Sequence, residues 1–255
     1  MNMKKSLKLM LPLAAAAIPL ALVAPAQAAG GTTYHATLNA LNHSSGSGNL
    51  TLTLNGNKAT IRETFSGLAA KFSGAPYPHV QHIHINGQGQ CPTTSADKNG
   101  DGVISTTEGQ PQYGPIGTTL SKSGDTSPAA GTNLKVAPSG ASSSYSRTIT
   151  LDSKTLNSVR SGKAVIVVHG LDPATLSKKA QGEKSDLVPA LPLAATSPAL
   201  CGALSSMPSG GPNTGAGSTG GPEDLGLLAS AAGLLAAAGI AFEFRRRTRQ
   251  GAAQA

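Results

Sequence analysis

Three histidines fall within six residues, His79-Val80-Gln81-His82-Ile83-His84, and a fourth closes the apolar run Val165-Ile166-Val167-Val168-His169. Imidazole is a good ligand for copper and zinc. Alternate residues of a β-strand share a face. A strand over the first run therefore points His82 and His84 the same way and buries Ile83 on the other side. Two imidazoles on one face form a chelate, and His169 supplies a third if the fold brings it close.

A second group offers oxygen. Asp97-Lys98-Asn99-Gly100-Asp101-Gly102-Val103-Ile104-Ser105-Thr106-Thr107-Glu108 meets the calcium-loop template at every specified position. Asp97, Asn99 and Asp101 would give side-chain oxygens and Val103 its carbonyl. Gly102 would make the sharp turn, Ser105 would bind directly or through water, and Glu108 would close the shell with two oxygens. Gly109-Gln110-Pro111 predicts that no helix leaves the loop. The alternative is an ordinary polar Asp/Gly turn.

These residues must be positioned by an exported domain. Lys4, Lys5 and Lys8, an apolar run from Leu9 to Val23, and Ala26-Gln27-Ala28 read as a signal peptide over residues 1–28. Residues 225–244 are apolar enough to span a membrane. Residues 245–255, with Arg245, Arg246, Arg247 and Arg249, then make a cytoplasmic basic tail and leave the domain outside. Residues 205–224 form a Gly/Ser/Pro-rich linker. Within it Pro208–Gly215 resembles a sortase sorting signal, with Thr214-Gly215 as the bond cut. The expected partners are thus the membrane, and a sortase and cell wall if the signal is used. A plain flexible stalk on a retained anchor is the alternative. The net charge of +8 is carried mostly by the two ends. Between Gly30 and Asp224 there are 13 Lys/Arg and 11 Asp/Glu. No basic stripe with interleaved aromatics occurs, which argues against nucleic acid as a partner.

Residues 29–204 remain for one domain. Strand-like runs over Tyr34–Leu41, Asn49–Leu54, Lys58–Phe65, Val80–Ile85, Ile116–Leu120, Ser144–Leu151 and Ala164–Val168, several of them alternating polar and apolar residues, predict short strands. Asn55-Gly56-Asn57 predicts a hairpin. The fold class is all-β, an antiparallel sandwich. Trp is absent, so the core rests on Val, Leu, Ile and Ala. Cys91 and Cys201 are the only cysteines. In an exported chain they suggest one disulfide, with two free thiols as the alternative. His35 and His43 have no motif around them and are expected at the surface. The mixed charges of Lys178–Asp186 predict a solvated loop.

The histidine and cysteine pieces, taken in order, resemble the copper/zinc superoxide dismutase family and the related chordin-type domains. The matching pieces are His79-x-x-His82-x-His84, Cys91, Val167-Val168-His169 and Leu200-Cys201-Gly202, within roughly residues 33–204. The resemblance implies a Greek-key β-sandwich, His82, His84 and His169 as copper ligands, and His79 as a hydrogen-bonding support. The chain departs from the family in two places. No histidine lies between His84 and His169, so the bridging ligand and the zinc-loop histidines have no counterpart. Pro198 stands where the family places its arginine, three residues before Cys201. The calcium loop occupies the place of the zinc loop. The expectation is a surface-anchored structural module that binds calcium and copper. A copper-only superoxide dismutase is the alternative.

Overall fold

Alternation of apolar and polar side chains sets the first three strands of the computed structural model, which describes residues 31–207. Strand β1 (Thr32–Ala40) buries Tyr34, Ala36 and Leu38. Strand β2 (Ser47–Asn55) buries Leu50, Leu52 and Leu54, and β3 (Lys58–Ser66) buries Ala59, Ile61 and Phe65. The β2–β3 turn closes over Gly56 and Asn57, between the paired Asn55 and Lys58.

The next strands, β4 (Lys71–Phe72) and β5 (Ala75–Pro76), make a small hairpin. Then come β6 (Gln81–His84), helix α1 (Thr106–Tyr113), β7 (Ile116–Thr119), β8 (Ser143–Thr150) and α2 (Ser153–Arg160). The chain continues through β9 (Val165–His169), α3 (Lys178–Gly182), α4 (Leu193–Thr196), β10 (Pro198–Ala203) and β11 (Ser205–Ser206).

All strand pairs are antiparallel, in the order β7-β6-β9-β10-β1-β2-β3-β8, with β11 beside β1. Strand β1 links two layers: Thr32–Leu38 pair with β2, whereas Asn39 and Ala40 pair with β10. The sheet therefore curls on itself. Its inner faces share one core, with Leu52 and Ile61 from one layer and Ile83, Ile166, Val168 and Leu200 from the other. The chain passes between layers from β3 to β6, from β7 to β8 and from β8 to β9, as in a Greek key. At the open side Arg147 of β8 donates to the Ser121 carbonyl (2.7 Å) and hydroxyl (3.0 Å). The expected antiparallel β architecture is present.

Strands β6 and β9 are buried on both faces, as continuous Val/Ile runs allow. Ile83, Ile166 and Val168 face the core. On the outer face Val165, Val167 and Cys201 pack with Tyr113 under the segment that starts at Cys91. The Cys91–Cys201 disulfide, with Cα atoms 5.8 Å apart, fastens that segment to β10. It closes a loop spanning 110 residues in sequence. Removing it with a Cys91→Ala/Cys201→Ala pair should therefore cost about 4–5 kcal/mol in the chain-entropy model. Urea unfolding of the oxidised protein and the double variant measures this. Equal midpoints would contradict it.

Two sequence expectations are corrected. A helix does leave the Asp97–Glu108 loop: α1 runs through Pro111. Ser105 and Glu108 form a reciprocal cap at its start. Pro111 removes one N–H, and in so short a helix the loss is one bond. Lys178–Asp186 is solvated as expected, with Lys178, Lys179, Lys184 and Asp186 exposed, but it is not a free loop: it begins with α3 and is tied down. Lys179 Nζ donates to the Asn99 carbonyl (2.6 Å), and Asp186 accepts from the Thr107 N–H (2.9 Å). Just before this segment, Ser177 donates to the Asp101 carbonyl (2.8 Å). The segment straps the acidic loop.

Ser205 and Ser206, read from the sequence as the start of the linker, pair with His35 and Tyr34. Among the described residues no helix is long and apolar enough to cross a membrane. The signal segment 1–28, Thr214-Gly215 and the apolar segment 225–244 lie outside the described residues.

Candidate metal centre

His82 and His84 alternate with the core residue Ile83, so strand geometry sends both rings to the outer face of β6. His82 lies opposite Val167 and His84 opposite Val165 on β9. His169 continues the outward series Val165, Val167, His169. Its N–H bonds the Val80 carbonyl (2.9 Å), which brings its ring beside His82. Ring centroids are 5.1 Å apart for His82–His169, 5.5 Å for His82–His84 and 5.9 Å for His84–His169. All three residues are at most 3% exposed.

Each ring spends one nitrogen on a backbone carbonyl. His82 Nε2 donates to Gly131 O (3.0 Å), His84 Nδ1 to Gly114 O (2.7 Å) and His169 Nδ1 to Thr196 O (2.6 Å). A carbonyl only accepts, so these nitrogens carry the protons and the tautomers follow. All three carbonyls sit at the ends of short helices, where C=O groups lack intrahelical partners. Gly114 caps α1, Gly131 caps the 3-10 turn Pro128–Ala130, and Thr196 ends α4. Gly114 has φ +88°, and a Cβ there would lie 1.9 Å from the Ile85 carbonyl oxygen. No other residue type fits that position without moving the chain at Ile85 and Gly87, just after β6.

The opposite nitrogens, His82 Nδ1, His84 Nε2 and His169 Nε2, are buried and have no hydrogen-bond partner. One donor atom from each ring lies within 4.8 Å of the other two. Among the described residues this is the one such gathering of His, Cys, Asp or Glu donors. Burial holds His84 down at about 3 and His169 at about 4. The same cause, with repulsion from His169 and His84, holds His82 well below its ordinary value. The three rings are therefore neutral at physiological pH and present lone pairs. Orphaned buried polar atoms are costly unless something satisfies them. Three imidazole lone pairs held by outer hydrogen bonds are the donor set of a metal site.

His79 is fully buried. Its Nδ1 contacts the His169 carbonyl (2.9 Å) and its Nε2 the Ala69 carbonyl (3.0 Å). Burial is the largest influence on its pKa and lowers it. His79 thus grips the backbone of a trio member without joining the cluster. His43 is exposed and His35 half-buried, each away from the trio.

The acidic loop is ordered by its own backbone. Asp97 accepts from the N–H groups of Gly100 (2.8 Å) and Gly102 (2.9 Å), Asn99 from Asp101 (2.9 Å), and Asp101 from Val103 (2.6 Å). Glu108 accepts from Lys98 (2.8 Å), Asn99 (3.3 Å) and Ser105 (2.9 Å). Asp97, Asp101 and Glu108 form no convergent cluster like that of the histidines. Glu183, not singled out from sequence, reaches the loop from the end of α3. Asn99 Nδ2 donates to both Asp101 (2.9 Å) and Glu183 (3.3 Å). Contact with the Asp101 side chain raises the Glu183 carboxyl above its ordinary value.

Sequence reasoning also missed the carbonyls of Gly114, Gly131 and Thr196, and Tyr113, whose ring meets His84 at 4.6 Å. Main-chain acceptors leave no mark in residue types. The helix that places Gly114 and Tyr113 was masked by Pro111.

No family model matches the chain, and no curated protein matches its sequence. Among solved structures it is similar to superoxide dismutase 5 of Candida albicans in its Cu(II) form. That match has 15% identity and a TM-score of 0.39, and it covers 73% of this chain and 99% of that one.

Proposed function

We propose that the domain is an extracytoplasmic metal-binding module that holds one copper ion on His82 Nδ1, His84 Nε2 and His169 Nε2. One observation carries this reading: three neutral, buried imidazoles each leave one nitrogen without a partner, on rings that bring donor atoms within 4.8 Å of one another. An all-imidazole site suits copper and zinc. We choose copper because His82, His84 and His169 are the positions that match copper ligands in the family the sequence resembles. Copper bound there would supply a one-electron redox centre. The protein contributes neutral ligands, fixed tautomers and exclusion of bulk water. The disulfide fits an oxidising compartment, and we place the domain outside the cell, held by segment 225–244. The copper-only dismutase reading has less support. Pro198 stands where that family carries its arginine, so no cation is placed to draw in superoxide.

The test is elemental analysis of purified protein. The expected content is one copper per chain. His84→Ala should lower copper affinity by at least tenfold, the order of effect seen for metal-site shell residues at about 10–100-fold. Copper retained equally by His84→Ala would contradict the reading.

Calcium at the Asp97–Glu108 loop is a second proposal, supported by the full loop signature and the strap from Lys179, Glu183 and Asp186. Calcium that binds the folded chain alone raises Tm. Scanning calorimetry should show a higher Tm with millimolar calcium than with EDTA. An unchanged Tm would remove calcium from the account.

A further inference from the structure

Thr106 is the first residue of α1 and is 7% exposed. Its hydroxyl takes no part in capping the helix, because Ser105 does that. A threonine inside a helix often bonds its own preceding turn. This one reaches across 90 positions of sequence and donates to Thr196 O (2.6 Å). The same carbonyl accepts from His169 Nδ1 (2.6 Å). A carbonyl oxygen has two lone pairs, so it serves both donors at once. Thr196 is the last residue of the four-residue helix α4. Carbonyls at a helix end lack intrahelical partners, and the Thr106 hydroxyl holds this one from outside.

The main chain of Thr106 leads to a second ring. Thr106 O accepts from the Tyr113 phenol (2.7 Å). The phenol folds back along α1 over Gly109, where a Cβ would lie 2.5 Å from Tyr113 Cε1. Tyr113 precedes Gly114, whose carbonyl accepts from His84 Nδ1 (2.7 Å), and its ring lies edge-on to His84. His82 is oriented from a different loop, by Gly131 O. We propose that Thr106 is a positioning residue of the metal centre. Through its hydroxyl and its carbonyl it joins the acceptor that orients His169 to the one that orients His84, and so fixes two of the three rings relative to each other. Its effect on a bound metal rests on the copper reading proposed above. Its hold on the rings is tested without metal.

The experiment uses the full chain. In the metal-free protein, NMR follows exchange of the ring N–H protons with water. Thr106→Val keeps the shape and removes the hydroxyl. His169 Nδ1–H should then exchange about fivefold faster, the effect of one net hydrogen bond, while His82 Nε2–H keeps the parental rate. Loaded with Cu(II), the variant should bind copper about tenfold more weakly, the low end of the effect of groups behind metal ligands, and its EPR spectrum should change. Thr106→Ser restores the hydroxyl and should return both readouts to the parental values. Tyr113→Phe keeps the ring, should speed exchange at His84 Nδ1–H and not at His82, and carries the test if the valine variant does not fold. A structural role alone lowers the Tm of the variants and leaves the ring-proton rates and copper affinity as in the parent, which overturns the inference. So does an equal change in Thr106→Ser, or exchange at His82 that rises with that at His169. A parent without a nitrogen-split Cu(II) signal overturns the copper reading alone, and the ring-proton rates then decide the role of Thr106.

Discussion

The metal-free chain should unfold cooperatively as the pH falls from 6.5 toward 4. In the folded state burial holds His82, His84 and His169 neutral, with His84 near 3 and His169 near 4. Released, each ring titrates at about 6.5. The unfolded chain thus binds more protons than the native one below pH 6.5, and stability falls as pH falls. Three rings give a slope of about 4 kcal/mol per pH unit. Less the opposing contribution of the buried Glu63, about 1.4 kcal/mol per unit, the loss over two units is about 5 kcal/mol, enough to unfold a domain at the low end of the usual range of about 5–15 kcal/mol. Circular dichroism against pH, with the metal removed, checks the midpoint. His84→Gln should make the acid limb shallower by about 1.4 kcal/mol per unit. An unchanged limb in that variant would show that the trio is not held neutral.

The second large effect lies on the alkaline side. Glu63 sits on β3 between Ile61 and Phe65, opposite Tyr145 of β8, and is 2% exposed. Neither of its carboxylate oxygens has a hydrogen-bond partner, and neither do Tyr145 Oη and Gln81 Oε1. Burial alone pushes the carboxyl up to about 8. A group raised in the fold contributes fully below its unfolded pKa and loses that contribution as pH rises through the folded value. Here the window runs from about 4.5 to about 8, and the loss is about 5 kcal/mol. Glu63→Gln keeps the shape and removes the charge. Its urea midpoint should exceed that of the parent at pH 8.5, and the gain should shrink as pH is lowered toward 5, where both chains are still folded. Opposed by the histidines on the acid side, Glu63 leaves the metal-free domain most stable near pH 6.5. Equal parental stability at pH 6.5 and 8.5 would contradict the buried-acid reading.

What could be read from sequence followed from side-chain periodicity. Leu50, Leu52 and Leu54 alternate with polar neighbours, and their strand is legible at once. His82, Ile83 and His84 obey the same rule, so the shared face of the two imidazoles was visible without coordinates. Strand β10 was not, because Pro198–Ala203 opens on proline and is buried through Ala, Leu and Cys on both faces without alternation. Glu63 was lost for the opposite reason: within Arg62-Glu63-Thr64 it looks like part of a solvated face. Helix α1 was hidden by Pro111, whose cost is small against the capping pair Ser105–Glu108 and the Tyr113–Thr106 bond. With it went the Gly114 carbonyl that fixes the tautomer of His84. The strap from Lys179 to Asp186 depends on how two loops distant in sequence meet, and local charge content says nothing of that.

The central claim is that three particular nitrogens share one copper ion. Anomalous diffraction at the copper edge from copper-loaded crystals tests it most directly. The account predicts a single strong peak at bonding distance from His82 Nδ1, His84 Nε2 and His169 Nε2. A peak bound through other atoms, or no peak at the trio in fully loaded protein, would contradict it.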